Sequence, residues 1–354
     1  MAITAIATNK EDTKMQKIKK LCITAPKELS VQMDEIDEQN IPAGQFLIET
    51  IYSQVSAGTE TACYRGMEAW FKLPGTPGYS CVGRVIAKAE DVTTVEPGDL
   101  VFTRGKHMSK QYVKLTDNYC KLPEGLDPLY APIARLFAIA MTGVRMSKIE
   151  LGDDVLVYGL GLIGNAVSQL AALQGANVLA MDLSDDRRAL AEACGVAHTL
   201  NSGKLEDPMA AIQEVFHGRK PSTVIDATGV PKVIDQIIDY VAPDGRLILL
   251  GSPRGDYTGN VTHFLQHIHR FIHRVEVVGA HEQMSPAKQM PYVKHSCERN
   301  ERIVLELIRD GKLKVKNLIT NVVKPEDAPQ VYRELDKGNP DYLGVVFDWT
   351  GEQA

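Results

Sequence analysis

Residues 155–164 read VLVYGLGLIG, a short run of β-favouring apolar residues that breaks on Gly159, Gly161 and Gly164 and passes into a helix-compatible segment, NAVSQLAALQG. Each glycine answers a separate steric demand. The first allows a tight turn, the second lets backbone approach a pyrophosphate, and the third lets the helix pack closely on the strand. The first helical turn, at Leu162 and Ile163, offers free N–H groups and a partial positive charge to the phosphates. Glycine triplets also occur in ordinary turns, so context decides. Here a second strand-like run, NVLAMD, ends in Asp182, eighteen residues past Gly164 and in the window for an acid that binds ribose hydroxyls. Strand, glycines, helix, strand and acid together predict a dinucleotide-binding βαβ unit. A carboxylate at Asp182 repels a 2′-phosphate and so favours NAD over NADP, while Arg187 and Arg188 read as surface arginines of the next helix.

The same alternation continues through TVIDATGV and RLILLGSPRG, with helix-length segments between, which implies a parallel sheet with crossover helices. Thr228, Gly229, Gly251 and Ser252 fall in loops that end these strands, where backbone commonly lines the nicotinamide half of the cofactor. From Ile18 to about Lys121 the texture differs. Short β-type runs (LCITAP, FLIETIYSQV, VGRVIAKA, DLVFTR, KQYVKL) alternate with PGTPG and VEPGD, and after about Leu313 the chain returns to strands and turns, ending in YLGVVFDW. The expected organisation is a polar tail over 1–17, a discontinuous β-rich domain of 18–145 and 303–354, and a doubly wound domain of 146–302.

Composition narrows the function. Across 354 residues, 39 Lys and Arg against 45 Asp and Glu give a net charge of −6 with no long basic stretch, so nucleic acid is a poor partner. The six cysteines are scattered, as free thiols of a reducing compartment would be, and no run has the length of a membrane span or a signal-peptide core. A cytoplasmic protein is expected. RLILLG reads as an edge strand, from which a homodimer is expected.

Beyond the glycine fingerprint, four segments, SAGTETACYRG (56–66), PGYSCVGRV (77–85), VEPGDLVF (95–102) and RLFAIAMTGV (135–144), resemble those of the medium-chain dehydrogenase/reductase superfamily. The likeness covers nearly all the chain after Ile18 and implies a GroES-like β-rich catalytic domain beside a Rossmann domain. In the superfamily's zinc alcohol dehydrogenases the first segment reads approximately C-G-T/S-D-x-H and the second P-G-H-E. This chain has Ala57 and Ala62 at the Cys and His places, Tyr79 and Ser80 at the His-Glu place, and Arg135 where a further acidic ligand often falls. Catalytic zinc needs three N, S or carboxylate donors, which these residues do not supply. The four-cysteine structural zinc loop is also absent, because VFTRGKHMSKQYVK runs directly from strand to strand. The resemblance therefore implies a branch without catalytic or structural zinc, nearest in wording to the bacteriochlorophyllide dehydrogenase-like subgroup.

Without zinc, hydride transfer to a carbonyl requires hydrogen-bond donors and a proton relay. Thr59 takes the place of the zinc enzymes' relay hydroxyl, Tyr79 aims a phenol into the same pocket and acts as acid if a nearby cation lowers its pKa, and Glu60 orients the relay. Arg65, Lys106, His107 and Arg135 are candidate substrate-binding cations. So many polar groups suggest a polyhydroxylated or anionic small molecule. The leading reading is an NAD-dependent dehydrogenase of a polar secondary alcohol; an NAD(P)H-dependent enone or quinone reductase and a non-catalytic NAD binder remain alternatives. Five histidines between His263 and His281 are the one competing metal signal. His263 and His267 share a helix face, yet no Cys lies in the run and its phase is mixed, so a polar face without metal is expected.

Overall fold

The computed structural model describes residues 15–351. Most of the expected N-terminal tail lies outside that range, and Met15–Lys17 belong to the first strand. In chain order the elements begin β1 (Met15–Ala25), β2 (Glu28–Asp37), β3 (Gln45–Gln54), α1 (Ala57–Tyr64), β4 (Cys81–Lys88), β5 (Leu100–Thr103), β6 (Lys110–Lys114), β7 (Tyr119–Lys121) and α2 (Ala134–Ser147). There follow β8 (Asp154–Tyr158), α3 (Leu162–Leu173), β9 (Asn177–Asp182), α4 (Asp185–Ala193), β10 (His198–Asn201), α5 (Pro208–Val215), β11 (Thr223–Asp226), α6 (Pro231–Ile237) and β12 (Arg246–Leu249). The chain closes with α7 (Val261–His269), β13 (Glu276–Gly279), α8 (Cys297–Arg309), β14 (Asn321–Val323), α9 (Ala328–Lys337) and β15 (Val345–Asp348).

β8 to β13 form a six-stranded parallel sheet in the order β10-β9-β8-β11-β12-β13. Its strands are continuous apolar runs because both faces are covered. Val155, Val157, Ala180, Ile225 and Ile248 face one core with α2, α3 and α8, while Leu156, Leu179, Met181, Val224 and Leu247 face another with Ile212, Phe216, Ile234 and Ile237. Strand order reverses between β8 and β11, and the carboxyl ends of these strands open the crevice where such sheets bind ligands. RLILLG is not an edge strand: β12 lies between β11 and β13, and β13 takes the edge.

The β-rich part pairs β1 with β2 as a hairpin and builds a seven-stranded sheet, β14-β15-β3-β4-β5-β7, with β6 also on β3. β15 returns from the end of the chain to pair antiparallel with β3. A core of Leu21, Ile23, Val55, Cys63, Val331, Tyr332, Val345, Phe347 and Trp349 binds α1 and α9 to this returning strand, which fixes α1 and the turns beside it. No helix among the described residues is long and apolar enough to cross a membrane.

Candidate active site

The glycine turn bears three distinct steric marks. Gly159 has φ +96°, and a Cβ there would lie 2.8 Å from the Thr228 Cγ2. A Cβ on Gly164 would stand 1.7 Å from the Gly159 carbonyl oxygen, so α3 packs on the turn only without a side chain. Gly161 faces open space, with nothing within 4 Å of a Cβ position, and it begins α3 without a side-chain cap. The N–H groups of Leu162 and Ile163 therefore open onto a vacant flank suited to phosphate. Asp182, at the end of β9, accepts from the Leu160 N–H at 2.6 Å and the Ser184 N–H at 2.8 Å, with Arg187 Nη1 3.9 Å away. Arg188 turns to Asp185 instead.

Beyond β11, buried Asp226 accepts from the Thr228 N–H (3.0 Å), the Thr228 hydroxyl (2.6 Å) and the Gly229 N–H (3.1 Å). Burial pushes its carboxyl up, against the pull of those donors. Cβ atoms on Gly229 and Gly251 would sit 2.4 Å from the Ser252 carbonyl oxygen and 2.3 Å from the Gly229 nitrogen. The two loops thus touch backbone to backbone, leaving Ser252 exposed at the crevice rim.

Across the crevice, the turn before α1 meets the segment before β4. The Tyr79 phenol donates to the Ser56 hydroxyl, and the Thr59 hydroxyl also bonds to it. The Arg135 guanidinium, from the first turn of α2, lies 5.5 Å from the Tyr79 ring centroid. Arg135 itself pairs with Glu282, in the loop following β13, so the phenol stands beside the carboxyl end of the parallel sheet. Burial pushes the Tyr79 pKa up, and the hydroxyl bonds and Arg135 offset only part of it. The expectation of a cation-lowered phenol is therefore reversed, because losing water penalises a phenolate more than one paired guanidinium helps it.

Glu60 lies behind this cluster. One carboxylate oxygen accepts from the Ser56 N–H at 2.7 Å; the other accepts from His107 Nε2 at 2.9 Å and from the Tyr332 hydroxyl. His107 Nδ1 meets the Ser53 hydroxyl at 2.7 Å, and Trp349 Nε1–H donates to the same oxygen at 2.8 Å. Donors and acceptors match along the whole chain when the imidazole proton is on Nε2. Burial and the Glu60 charge hold the Tyr332 phenol well above its usual range. Glu60 thus positions Ser56 from the interior and presents no open carboxylate edge.

Of the four candidate substrate cations, only Arg135 reaches this place. His107 is fully buried with both ring nitrogens bonded. Arg65 is tied to Asp336 on α9. Lys106 is exposed and lines a separate surface concavity of about 730 Å³ with Asp34, Glu35 and Tyr112. Even Arg135 is neutralised, since it, Arg104, Glu282 and Glu301 form a buried cluster of two cations and two carboxylates. Sequence reasoning missed Ser56, whose place before α1 was the available signal, and the Arg254–Glu68 ion pair (2.7 Å) between the loop after β12 and the segment after α1.

Residues 163–289 match the family model described as zinc-binding dehydrogenase. An alcohol dehydrogenase of Moraxella sp. (strain TAE123) is 27% identical over 262 residues, 64% of this chain and 76% of the relative. Over these spans the chain is similar to zinc-binding, alcohol dehydrogenase-like enzymes. Among solved structures, galactitol-1-phosphate dehydrogenase from Escherichia coli superposes with a TM-score of 0.76 at 18% identity, covering 93% of this chain and 99% of its own. A dehydrogenase from E. coli CFT073, described as a short chain alcohol dehydrogenase complexed with NADH, gives 0.77 at 19% identity over 94% and 99%. At such identities these two show the shared fold.

The family's zinc finds no matching donor set at its usual place. Ala57 and Ala62 carry no donor atom, the Ser80 hydroxyl donates to the Pro132 carbonyl, and Tyr79 is bonded to Ser56. Burial pushes the Cys63 and Cys81 thiols up to about 12. These residues do not fit a three-donor zinc site.

Proposed function

We propose that this chain is an NAD-linked oxidoreductase that interconverts a polar secondary alcohol, such as a sugar or cyclitol, and its ketone without catalytic zinc. The observation that carries the reading is the Tyr79–Ser56 hydrogen bond with Thr59 beside it, three hydroxyls at the place of the family's zinc donors. Gly161 and the first turn of α3 would hold the cofactor's pyrophosphate, Asp182 its adenosine ribose, and Thr228, Gly229, Gly251 and Ser252 its nicotinamide end. When bound, the nicotinamide exchanges a hydride with the substrate carbon. NAD is favoured over NADP by the Asp182 charge, which Arg187 offsets only from 3.9 Å.

In the reducing direction the carbonyl oxygen gains negative charge, and Thr59 donates a hydrogen bond to it. Tyr79 supplies the proton and is reprotonated through Ser56, whose place is set by the Glu60 contact to its backbone N–H. A phenol that burial keeps protonated suits this role as an acid. With the candidate cations buried, paired or elsewhere, the pocket favours a neutral hydroxylated substrate over an anionic one.

The test offers NAD with sugars, cyclitols and simple alcohols, follows NADH absorbance and identifies products. Polar secondary alcohols should turn over faster than ethanol or hexanol. Tyr79→Phe should lower kcat by ~10²-fold or more while cofactor affinity stays unchanged. Reduction of a C=C bond with the carbonyl left intact would make the chain an enone reductase, and NADH binding without hydride exchange to any carbonyl would make it a non-catalytic binder.

A further inference from the structure

Two helical histidines become a metal site when a third donor converges on them. The fold brings one from 24 residues upstream of His263. Asp239 lies in the helical turn Ile238–Tyr240 that follows α6. Its Oδ1 is 2.9 Å from His263 Nε2 and 3.0 Å from His267 Nε2. Among the described residues, these are the only three or more His, Cys, Asp and Glu ligand atoms that all lie within 4.8 Å of one another.

The orientation of His267 is specific. Its Nδ1 is 3.2 Å from the His263 carbonyl oxygen, which can only accept, so Nδ1 carries the proton. Whenever the ring is neutral, the lone pair of Nε2 faces a carboxylate oxygen. Two acceptors facing each other at 3.0 Å repel unless a cation sits between them. A backbone bond that fixes one imidazole nitrogen and frees the other is also how metal-binding histidines are held. Donors ~2.0–2.1 Å from a tetrahedral ion stand about 3.3 Å apart, so an ion requires the two carboxylate–imidazole distances to widen slightly and the two imidazoles, whose ligand atoms lie within 4.8 Å, to close toward each other.

We propose that Asp239, His263 and His267 bind one divalent transition-metal ion, with zinc the best match to two imidazoles and a carboxylate. The ion pins α7 to the turn after α6. The site lies at the amino end of the parallel sheet, because Asp239 precedes β12 and the His267 carbonyl accepts from Val275 N–H just before β13. The glycine turn and Tyr79 are at the carboxyl end, so the role is structural and separate from hydride transfer.

Chelator-stripped full-length protein titrated calorimetrically with zinc chloride at neutral pH should take up one equivalent. His263→Asn and Asp239→Ala should each weaken binding by at least ~10-fold, and zinc should raise the melting midpoint of the parent but of neither variant. These two side chains are 45% and 48% exposed, so the metal-free variants should melt with the metal-free parent. Tyr79→Phe should bind zinc as the parent does. Absence of saturable uptake, or an affinity in both site variants equal to that of the parent, overturns the proposal and leaves a proton as the cation between the groups.

Discussion

Glu60 shows how a residue of the family pattern acquires a role that its position alone does not reveal. Its carboxylate is buried and satisfies three donors at once: Ser56 N–H, His107 and Tyr332. Removing it strands those donors, at about 1–3 kcal/mol for each one left unsatisfied. Glu60→Ala should therefore lower unfolding stability by about 3 kcal/mol or more in denaturant titrations, while Glu60→Gln should cost clearly less. Asp182 makes a different prediction. Asp182→Asn keeps an acceptor for the Leu160 N–H but loses the charge, so NAD affinity should fall about 10-fold and the NAD-to-NADP preference should narrow when both are titrated by fluorescence. The Tyr79 phenol, raised by burial, keeps its proton at all ordinary pH values. Ketone reduction limited by its proton transfer should be flat through neutral pH and decline only as pH rises beyond ~10, and a decline beginning near neutrality would point to another acid.

At the scale of elements, what was legible followed from strong local demands. The β8–α3–β9 unit is set by apolar strands and by glycines whose side-chain space is filled, and these signals are local in sequence. Gly164→Ala places a methyl 1.7 Å from the Gly159 carbonyl oxygen. It should push α3 off the turn, abolish measurable NAD binding and cost about 3 kcal/mol of stability, all readable from a melt with and without cofactor. By contrast β2 went unread because Ile36 is its one buried residue, so its pattern carries no clear alternation. β10 and β13 are as short as β11 and β12 but carry at most one buried residue each, so they lack the continuous apolar run that marks the latter. β13 took the edge assigned to RLILLG for that reason. His107 was read as a substrate cation because a sequence cannot show that Ser53 and Glu60 occupy both ring nitrogens from β3 and α1. The third donor of the histidine cluster was hidden in the same way, contributed by Asp239 from a different element.

At the scale of the whole molecule, the polar ties that join the dinucleotide-binding sheet to the β-rich sheet include two at the crevice. The Arg254–Glu68 pair connects the loop after β12 to the segment after α1. The largely buried cluster of Arg104, Arg135, Glu282 and Glu301 connects the segment after β5, α2, the loop after β13 and α8. Charges so far from water remain there only when mutually paired, so this cluster fixes Arg135 against the Tyr79 ring and is not free to capture an anion. The glycine turn on one side and the hydroxyl cluster on the other were both readable as segments, but their opposition depends on these long-range ties. In the function proposed above, this opposition supports hydride transfer without an ion at the place of the family's zinc. The most direct measurement is turnover of the best polar alcohol by His263→Asn protein stripped with chelator, with bound metal counted in the same sample. The rate should equal that of the unstripped parent at less than about one-tenth of an equivalent of metal. A rate that falls in proportion to metal removed and returns with added zinc would contradict it.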